Sequence, residues 1–259
     1  MVNTAFAAGE EVAHKGLSIH LAPEVVTTLW GIPITNTLLT AWFVMAFVII
    51  LTIIAYKKLR FFPSKPQVLL ETAIGGAFDY VAETLESKEK AKKFFPVIMT
   101  IFVFILALNW IGLLPGVDSI GIYKEGHTAL TPLLHPANTD LNVTFAFAVV
   151  AFVTIEFAGI TLLGFLKYGS KFVNFKSFLG FAIGIIELIG EVARLISFSF
   201  RLFGNVFAGK MLLVVAVFFL PFVVPVPIIA FEVFVGIVQA LVFAVLTLFF
   251  IKLAVTEAH

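Results

Sequence analysis

The sequence lacks cysteine and is poor in charge. None of its 259 residues is a cysteine, so a disulfide framework and a thiolate metal site are both excluded. Only 13% of the residues are charged, about half of the roughly 25% found in soluble domains. Because 61% of the residues are hydrophobic, the chain cannot cover a globular surface with charge, and we expect a membrane protein.

Signatures of metal, nucleotide and nucleic-acid binding are missing as well. The five histidines are scattered without metal-ligand spacing, and there is no glycine-rich phosphate loop. A net charge of +1 argues against nucleic acid as a partner. The N-terminal stretch has no basic start followed by an apolar run, so we expect no signal peptide. We predict one membrane domain, residues 1–259, that contacts the lipid bilayer and uses no metal or cofactor.

Apolar runs of about 20 residues, the length that crosses a bilayer, divide the chain. After an N-terminal tail at 1–35, three spans are predicted at 36–56, 94–114 and 142–166. Between the first two spans, residues 66–93 mix apolar residues with acids and lysines. This mixture indicates an interfacial amphipathic helix followed by a charged loop.

Two later apolar segments are longer than a bilayer is thick. Residues 178–219 contain no proline, and as a helix they would extend about 63 Å, against a hydrocarbon core of about 30 Å. Residues 226–254 would extend roughly 43 Å, so both segments must tilt strongly or bend. We predict an all-α polytopic membrane protein with about five crossing helices and one interfacial helix, the last two crossing helices being long and strongly tilted.

The basic residues predict an orientation in the membrane. Lysines and arginines cluster after the first and third spans, whereas the polar loop at 115–141 and the loop at 220–226 contain only Lys124. Because basic loops stay on the cytoplasmic side, five crossings place the N-terminus outside and the C-terminus inside.

One face of the segment 178–219 carries polar side chains among apolar neighbours. At about 100° per residue, four polar residues lie within about 40° of Arg201 around the helix axis. These residues are Glu187, Arg194, Ser197 and Asn205. The stripe is roughly 27 Å long, which is close to a membrane thickness.

Arg201 lies near the middle of its segment, where a charge is costly. Arginine keeps its proton in proteins, and placing it at mid-membrane costs about 2.5–3.5 kcal/mol. It therefore needs water or a counter-charge, for which Glu187, Glu191 and Glu232 are the candidates in this chain. None has an obviously matching depth, so the partner could come from another chain.

The last long segment repeats the pattern more sparsely. Glu232 and Gln239 are seven residues apart and share one helix face. Gly236 lies between them on the same side and would let another helix come close.

Ordinary structural interpretations stand beside the functional ones. Arg201, Arg194 and Glu187 could be interfacial anchors. Hydrogen bonds between helices could explain the three amide side chains Asn109, Asn205 and Gln239.

Acidic and basic residues elsewhere also allow ordinary explanations. Glu156, in the middle of the third span, could be a proton-path residue or a buried protonated acid. Asp140 has the position of a helix N-terminal residue. A solvated loop would hold the lysines at 88, 90, 92 and 93.

Several stretches resemble one family. "FRLFGNVFAGK" at 200–210 and "VQALVFAVLTLFF" at 238–250 are similar to subunit a of the F-type ATP synthase, the stator half of its proton channel. The stretches "TNTLLTAW", "LNWIGLLPG" and "TDLNVTFAFA", at 35–42, 108–116 and 139–148, also resemble this family. The resemblance covers roughly residues 33–255.

The resemblance implies a role for each polar position. Arg201 would face a carboxylate on a rotating ring of c subunits, keep it ionised, and separate two offset half-channels. The inner half-channel would be lined by Glu187, Arg194 and Ser197. The outer half-channel would be lined or bordered by Asn205, Glu232 and Gln239, with Asn109 as a further border residue.

Lys210 departs from the family pattern. Many relatives carry an acid at this position, and some pair it with a histidine where this chain has Glu232. A lysine cannot relay protons as a carboxylate does near neutral pH, so we expect Lys210 to extend to the outer interface or to pair with Glu232.

The resemblance also implies partners and a location. The chain would assemble with the c-subunit ring, peripheral-stalk b subunits and the rest of the F0F1 complex, in a bacterial inner membrane, and would pass protons without catalysing a reaction itself. The alternatives are a secondary transporter, which would favour inverted repeats and broken helices, and a structural membrane anchor subunit.

Overall fold

The computed structural model describes residues 23–29, 31–59, 63–114, 116–117, 120–123, 130–169, 178–221 and 223–255. The helices are α1 (Asn36–Lys57), α2 (Lys65–Thr84), α3 (Lys88–Ile111), α4 (Leu141–Leu163), α5 (Phe165–Gly169), α6 (Phe178–Phe219) and α7 (Pro225–Val255). The strands are β1 (Val25–Leu29), β2 (Ile32–Thr35), β3 (Gly121–Tyr123) and β4 (Leu130–Pro132), and a 3-10 turn covers Ala137–Thr139. The prediction of no signal peptide concerns residues 1–26, of which 1–22 lie outside the described residues, and Lys124 lies outside them as well.

Five of these helices are long and apolar enough to cross a membrane, namely α1, α3, α4, α6 and α7. The longest are α6, with 42 residues, and α7, with 31. Their outer faces carry large apolar side chains such as Phe157 and Phe218, which suit lipid better than water. The predicted all-α polytopic fold is therefore confirmed, with α2 as the additional, more polar helix.

Side-chain caps start three of the crossing helices. Thr35, Ser87 and Asp140 each accept a hydrogen bond from a backbone N–H in the first turn of α1, α3 and α4, respectively. Such caps satisfy donors that have no partner within the helix. Asp140 thus marks a helix N-terminus as predicted. Its other oxygen accepts a 2.8 Å hydrogen bond from the hydroxyl of Thr37, which ties α4 to α1.

The predicted charged loop before the second crossing helix is wrong. The lysines at 88, 90, 92 and 93 lie in the first two turns of α3, and the connection from α2 is only residues 85–87. The reason is the Ser87 cap, which lets the backbone become helical at Lys88. Three of these lysines, Lys88, Lys92 and Lys93, are exposed on the helix surface, and Lys90 is half-buried.

The predicted tail and loops contain structure that the sequence pattern did not indicate. An antiparallel hairpin of β1 and β2 precedes α1, and Gly31 takes a φ of +82° in its turn. A second antiparallel pair, β3 and β4, lies in the segment predicted as a polar loop. The third crossing helix ends at Leu163 because Gly164 adopts a φ of +87°, which does not continue a helix.

The core lies among α3, α4, α6 and α7. Small buried residues on α4 and α7, such as Ala151 and Ala240, let the helices approach closely. Larger rings fill the remaining space, and the ring centroids of Phe198 on α6 and Phe243 on α7 lie 4.8 Å apart. This packing places the two long helices side by side and sets the frame of the polar site.

Candidate functional site

The predicted polar stripe lies on one continuous helix. Glu187, Arg194, Ser197, Arg201 and Asn205 all belong to α6. Asn205 donates a 3.0 Å hydrogen bond to the backbone oxygen of Arg201 one turn earlier. The periodicity that predicted a common face is therefore not interrupted by a kink residue or a break.

The guanidinium of Arg201 is only weakly satisfied. Its Nη2 donates a 3.3 Å hydrogen bond to the hydroxyl of Ser197, and its Cζ lies 5.9 Å from the ring centroid of Phe198. Its Nη1 is buried and has no hydrogen-bond partner among the described residues.

No described carboxylate forms an ion pair with Arg201. This holds for the three predicted candidates, Glu187, Glu191 and Glu232. Within the part of the chain that the structure describes, the positive charge of Arg201 is not compensated. Because the buried Nη1 atom lacks an acceptor and a buried donor without a partner is costly, an acceptor from outside the described residues would complete this site.

A cavity of about 90 Å³ lies where α3, α6, α7 and the 3-10 turn meet, and several polar side chains interrupt its mostly apolar wall. It is large enough to hold water molecules. The structure brings six residues singled out in the sequence to its wall: Asn109, Asn205, Lys210, Glu232, Gly236 and Gln239. We call this space the polar cavity.

Glu232 lies against a glycine on the neighbouring helix. Its carboxyl group occupies the place where a side chain at Gly209 would begin, so that a Cβ there would collide with it. Among the described residues, the Glu232 carboxyl group has neither a hydrogen bond nor an ion pair. It is therefore available to water or protons in the polar cavity.

Gly236 allows the close helix approach that its position predicts, and the approaching helix is α3. A Cβ on Gly236 would lie 3.2 Å from the Cβ of Asn109. The Asn109 amide donates a 3.0 Å hydrogen bond to the Gly236 backbone oxygen and accepts one of 2.7 Å from Asn138. Asn109 thus bonds two helices together, as its structural interpretation predicted, and it also lines the polar cavity. Its role at the border of a half-channel stays a prediction.

Lys210 does not pair with Glu232, although both line the polar cavity. Its ammonium nitrogen lies 3.2 Å from Nδ1 and 3.3 Å from Nε2 of His135. Of the two alternatives predicted for Lys210, the ion pair with Glu232 is therefore wrong, because the ammonium contacts a buried imidazole instead. The extension of Lys210 to the outer interface stays a prediction. His135 is 75 positions away in a proline-flanked segment, and no helical periodicity connects the two residues.

A second polar cluster surrounds Arg194. The Nη1 of Arg194 lies 2.7 Å from the Oε1 of the buried Glu191, and its guanidinium stacks 4.7 Å from the ring centroid of Phe250. Burial, followed by the nearby Glu156 carboxyl, raises the pKa of Tyr168 well above its usual value. The sequence analysis identified neither Tyr168 nor the ion pair of Glu191 with Arg194. The three-residue spacing of Glu191 and Arg194 on a helix was a signal for that ion pair.

The other two residues predicted on the stripe, Glu187 and Ser197, do not line the polar cavity. Glu187 is half-buried on α6, and Ser197 is exposed beside Arg201. Within the described ranges, no group of three histidines, cysteines or acids could hold a metal ion. The chemistry available is therefore that of a fixed cation, separate carboxyl groups and amides along two long helices.

The sequence matches the family described as ATP synthase A chain over residues 38–252. The chain belongs to this family. The matched region contains every residue of the polar stripe and the polar cavity. Together with the five apolar helices, the ATP synthase A chain family makes this a multi-pass membrane protein.

The similarity of the sequence to individual proteins gives the same family. ATP synthase subunit a of Geotalea daltonii is 35% identical over 218 residues, which are 84% of this chain and 86% of that protein. Subunit a of Geobacter sulfurreducens is 34% identical over the same shares. Subunit a of Moorella thermoacetica is 31% identical over 232 residues, 90% of this chain and 96% of its own length.

Proposed function

We propose that this chain is the stationary proton-channel subunit of an ATP synthase, and that Arg201 faces a carboxylate carried past it by a rotating ring of c subunits. The observation that carries the proposal is the uncompensated guanidinium of Arg201, whose Nη1 has no partner within the described residues. A passing carboxylate would supply the missing counter-charge once in each step. The fixed cation would keep that carboxylate ionised while it passes and would repel a proton on a direct path across the membrane.

The polar cavity supports the proposal of an outer half-channel. Asn205, Glu232 and Gln239 line one space that is large enough for water. Protons entering from outside would reach the ring through Glu232, and Asn109 would border their path.

The part of the polar stripe that precedes Arg201 supports the proposal of an inner half-channel. Glu187, Arg194 and Ser197 precede Arg201 along α6, and Glu156 lies beside the Arg194 cluster through Tyr168. Because the two half-channels would meet the ring at different points, a proton would have to travel with the ring. One elementary charge crossing 100 mV releases about 2.3 kcal/mol, which would drive the rotation.

The proposed setting follows from the basic residues and from the family. The N-terminus would lie outside and the C-terminus in the cytoplasm of a bacterial inner membrane. The c ring, the peripheral-stalk b subunits and the remaining F0F1 subunits would be the partners. ATP would be made or hydrolysed on those partners, and this chain would act as a non-catalytic subunit.

The test is made on the assembled complex in inverted membrane vesicles. We expect Arg201→Ala and Arg201→Lys to abolish ATP-driven acidification while the complex still assembles. Arg201→Ala should also raise the passive proton leak under an imposed potential. Lys92→Ala, which removes an exposed cation at the start of α3, is the matched control and should pump normally. Coupled pumping in both Arg201 variants would contradict the proposal.

A further inference from the structure

The polar cavity contains an ammonium group and a carboxyl group that do not meet. Lys210 and Glu232 both line it, and opposite charges attract strongly where water is scarce. The Lys210 ammonium nevertheless lies on His135, at 3.2 and 3.3 Å from its two ring nitrogens. This separation needs an explanation, because a lysine side chain is flexible enough to choose between the two partners.

His135 is held in a fixed place beside Lys210. Its side chain is fully buried, and its backbone N–H donates a 2.9 Å hydrogen bond to the hydroxyl of Thr40 on α1. A neutral imidazole has one acceptor nitrogen in either tautomer. The Lys210 ammonium lies almost equally far from both ring nitrogens, so it contacts the imidazole between them and is not aligned with the in-plane lone pair of either nitrogen.

A released Lys210 would have a short way to Glu232. The Glu232 carboxyl group lies against Gly209, which directly precedes Lys210, and consecutive Cα atoms are only about 3.8 Å apart. An adjacent ammonium favours the charged form of a carboxyl group. A Glu232 held in such an ion pair would exchange protons more slowly.

We propose that His135 is a positioning residue that holds the Lys210 ammonium away from Glu232, so that Glu232 stays free to take up and release protons. This inference rests on the proposed function, in which Glu232 belongs to the outer half-channel. It also explains how the chain tolerates a lysine at this point of the cavity.

The test is a double-variant cycle in the assembled complex, again in inverted vesicles. We expect His135→Ala to lower the rate of ATP-driven acidification by roughly tenfold, the factor in proton binding that corresponds to a change of one pKa unit at Glu232. In the Lys210→Met background, the same His135→Ala change should have little effect, because no ammonium remains to be released. His135→Gln, which keeps an acceptor for Lys210, should pump much better than His135→Ala.

Three results would overturn the inference. The first is normal pumping by His135→Ala, and the second is an equal loss in the presence and absence of Lys210, which would mean that His135 relays protons or packs on its own account. The third is a His135→Gln variant that assembles and fails as His135→Ala does. Arg201→Ala, measured in the same vesicles, separates the two proposals. If this variant pumps protons, the proposed function is wrong. If it does not pump, and the effects of the His135 and Lys210 changes are independent, only the present inference is wrong.

Discussion

The side-chain nitrogen of Asn109, on α3, donates a 3.0 Å hydrogen bond to the backbone oxygen of Gly236, on α7. The contact is possible because Gly236 has no side chain, since a Cβ there would lie only 3.2 Å from that of Asn109. Asn109 also accepts a 2.7 Å hydrogen bond from the buried Asn138. One amide therefore holds the wall of the polar cavity together on two sides.

We expect Asn109→Ala to lower the free energy of unfolding by about 1–2 kcal/mol, because it removes two hydrogen bonds and leaves the Asn138 amide without its acceptor. Denaturant unfolding of the purified subunit in detergent measures the change. Thr100→Ala on the same helix is the control, because among the described residues its exposed hydroxyl bonds only to the Pro96 oxygen of its own helix. Equal stability of the two variants would contradict the bridging role of Asn109.

Tyr168 packs its ring directly on Gly159 of α4, where a Cβ would collide with the ring. We expect Gly159→Ala to destabilise the protein by about 1–3 kcal/mol through overpacking, despite the better helix propensity of alanine. Thermal unfolding in detergent measures it. Gly76→Ala in α2, where a Cβ meets nothing within 4 Å, should be neutral or slightly stabilising. A stable Gly159→Ala would show that Tyr168 moves away at little cost.

The helices were predictable because apolar length and proline positions are local properties of the chain. The segment predicted at 178–219 has the bounds of α6, since no proline or cap interrupts it. The start of α3 was missed because lysines are compatible with both a solvated loop and a first helical turn, and only the Ser87 cap decides between them. The hairpins were missed because their short strands have too few residues to show an alternating pattern.

Those features of the site that depend on a single helix were predictable from the sequence. Helical periodicity placed Arg201 and Asn205 on the same face, and the seven-residue spacing of Glu232 and Gln239 did the same for α7. Contacts between distant segments leave no periodic trace, so the approach of His135 to Lys210 could not be inferred. That no described residue supplies a counter-charge to Glu232 is likewise a consequence of how the helices pack.

Gly209 makes room for the carboxyl group of Glu232, so the size of this residue should control proton flow. We expect Gly209→Ala to displace Glu232 and to lower ATP-driven acidification by roughly tenfold or more in complexes that assemble normally, as small misplacements of reacting groups do. Shortening the acid in the double variant Gly209→Ala, Glu232→Asp should restore part of the rate. No change in Gly209→Ala, or no recovery in the double variant, would contradict the steric explanation.

Glu86 links the short connection between α2 and α3 to the end of α7, through a 2.9 Å ion pair with Lys252. The hydrogen bond and charge of Lys252 hold the pKa of Glu86 below its usual value of 4.5. Because the folded-state pKa is the lower one, the pair stabilises the protein above the pKa of the unfolded state and stops doing so as the pH falls through the folded value.

We therefore expect Glu86→Gln to be less stable than the unchanged protein at neutral pH, by a small amount because the pair is exposed. The difference should disappear as the pH falls below about 4.5 and should shrink at high salt. Unfolding in detergent as a function of pH, at low and high salt, measures both effects. Glu83→Gln is the control, because this exposed acid forms no ion pair within the described residues. If the difference between Glu86→Gln and the unchanged protein instead grew as the pH fell, Glu86 would be stabilising in its protonated form, and the ion pair with Lys252 would not be its main contact.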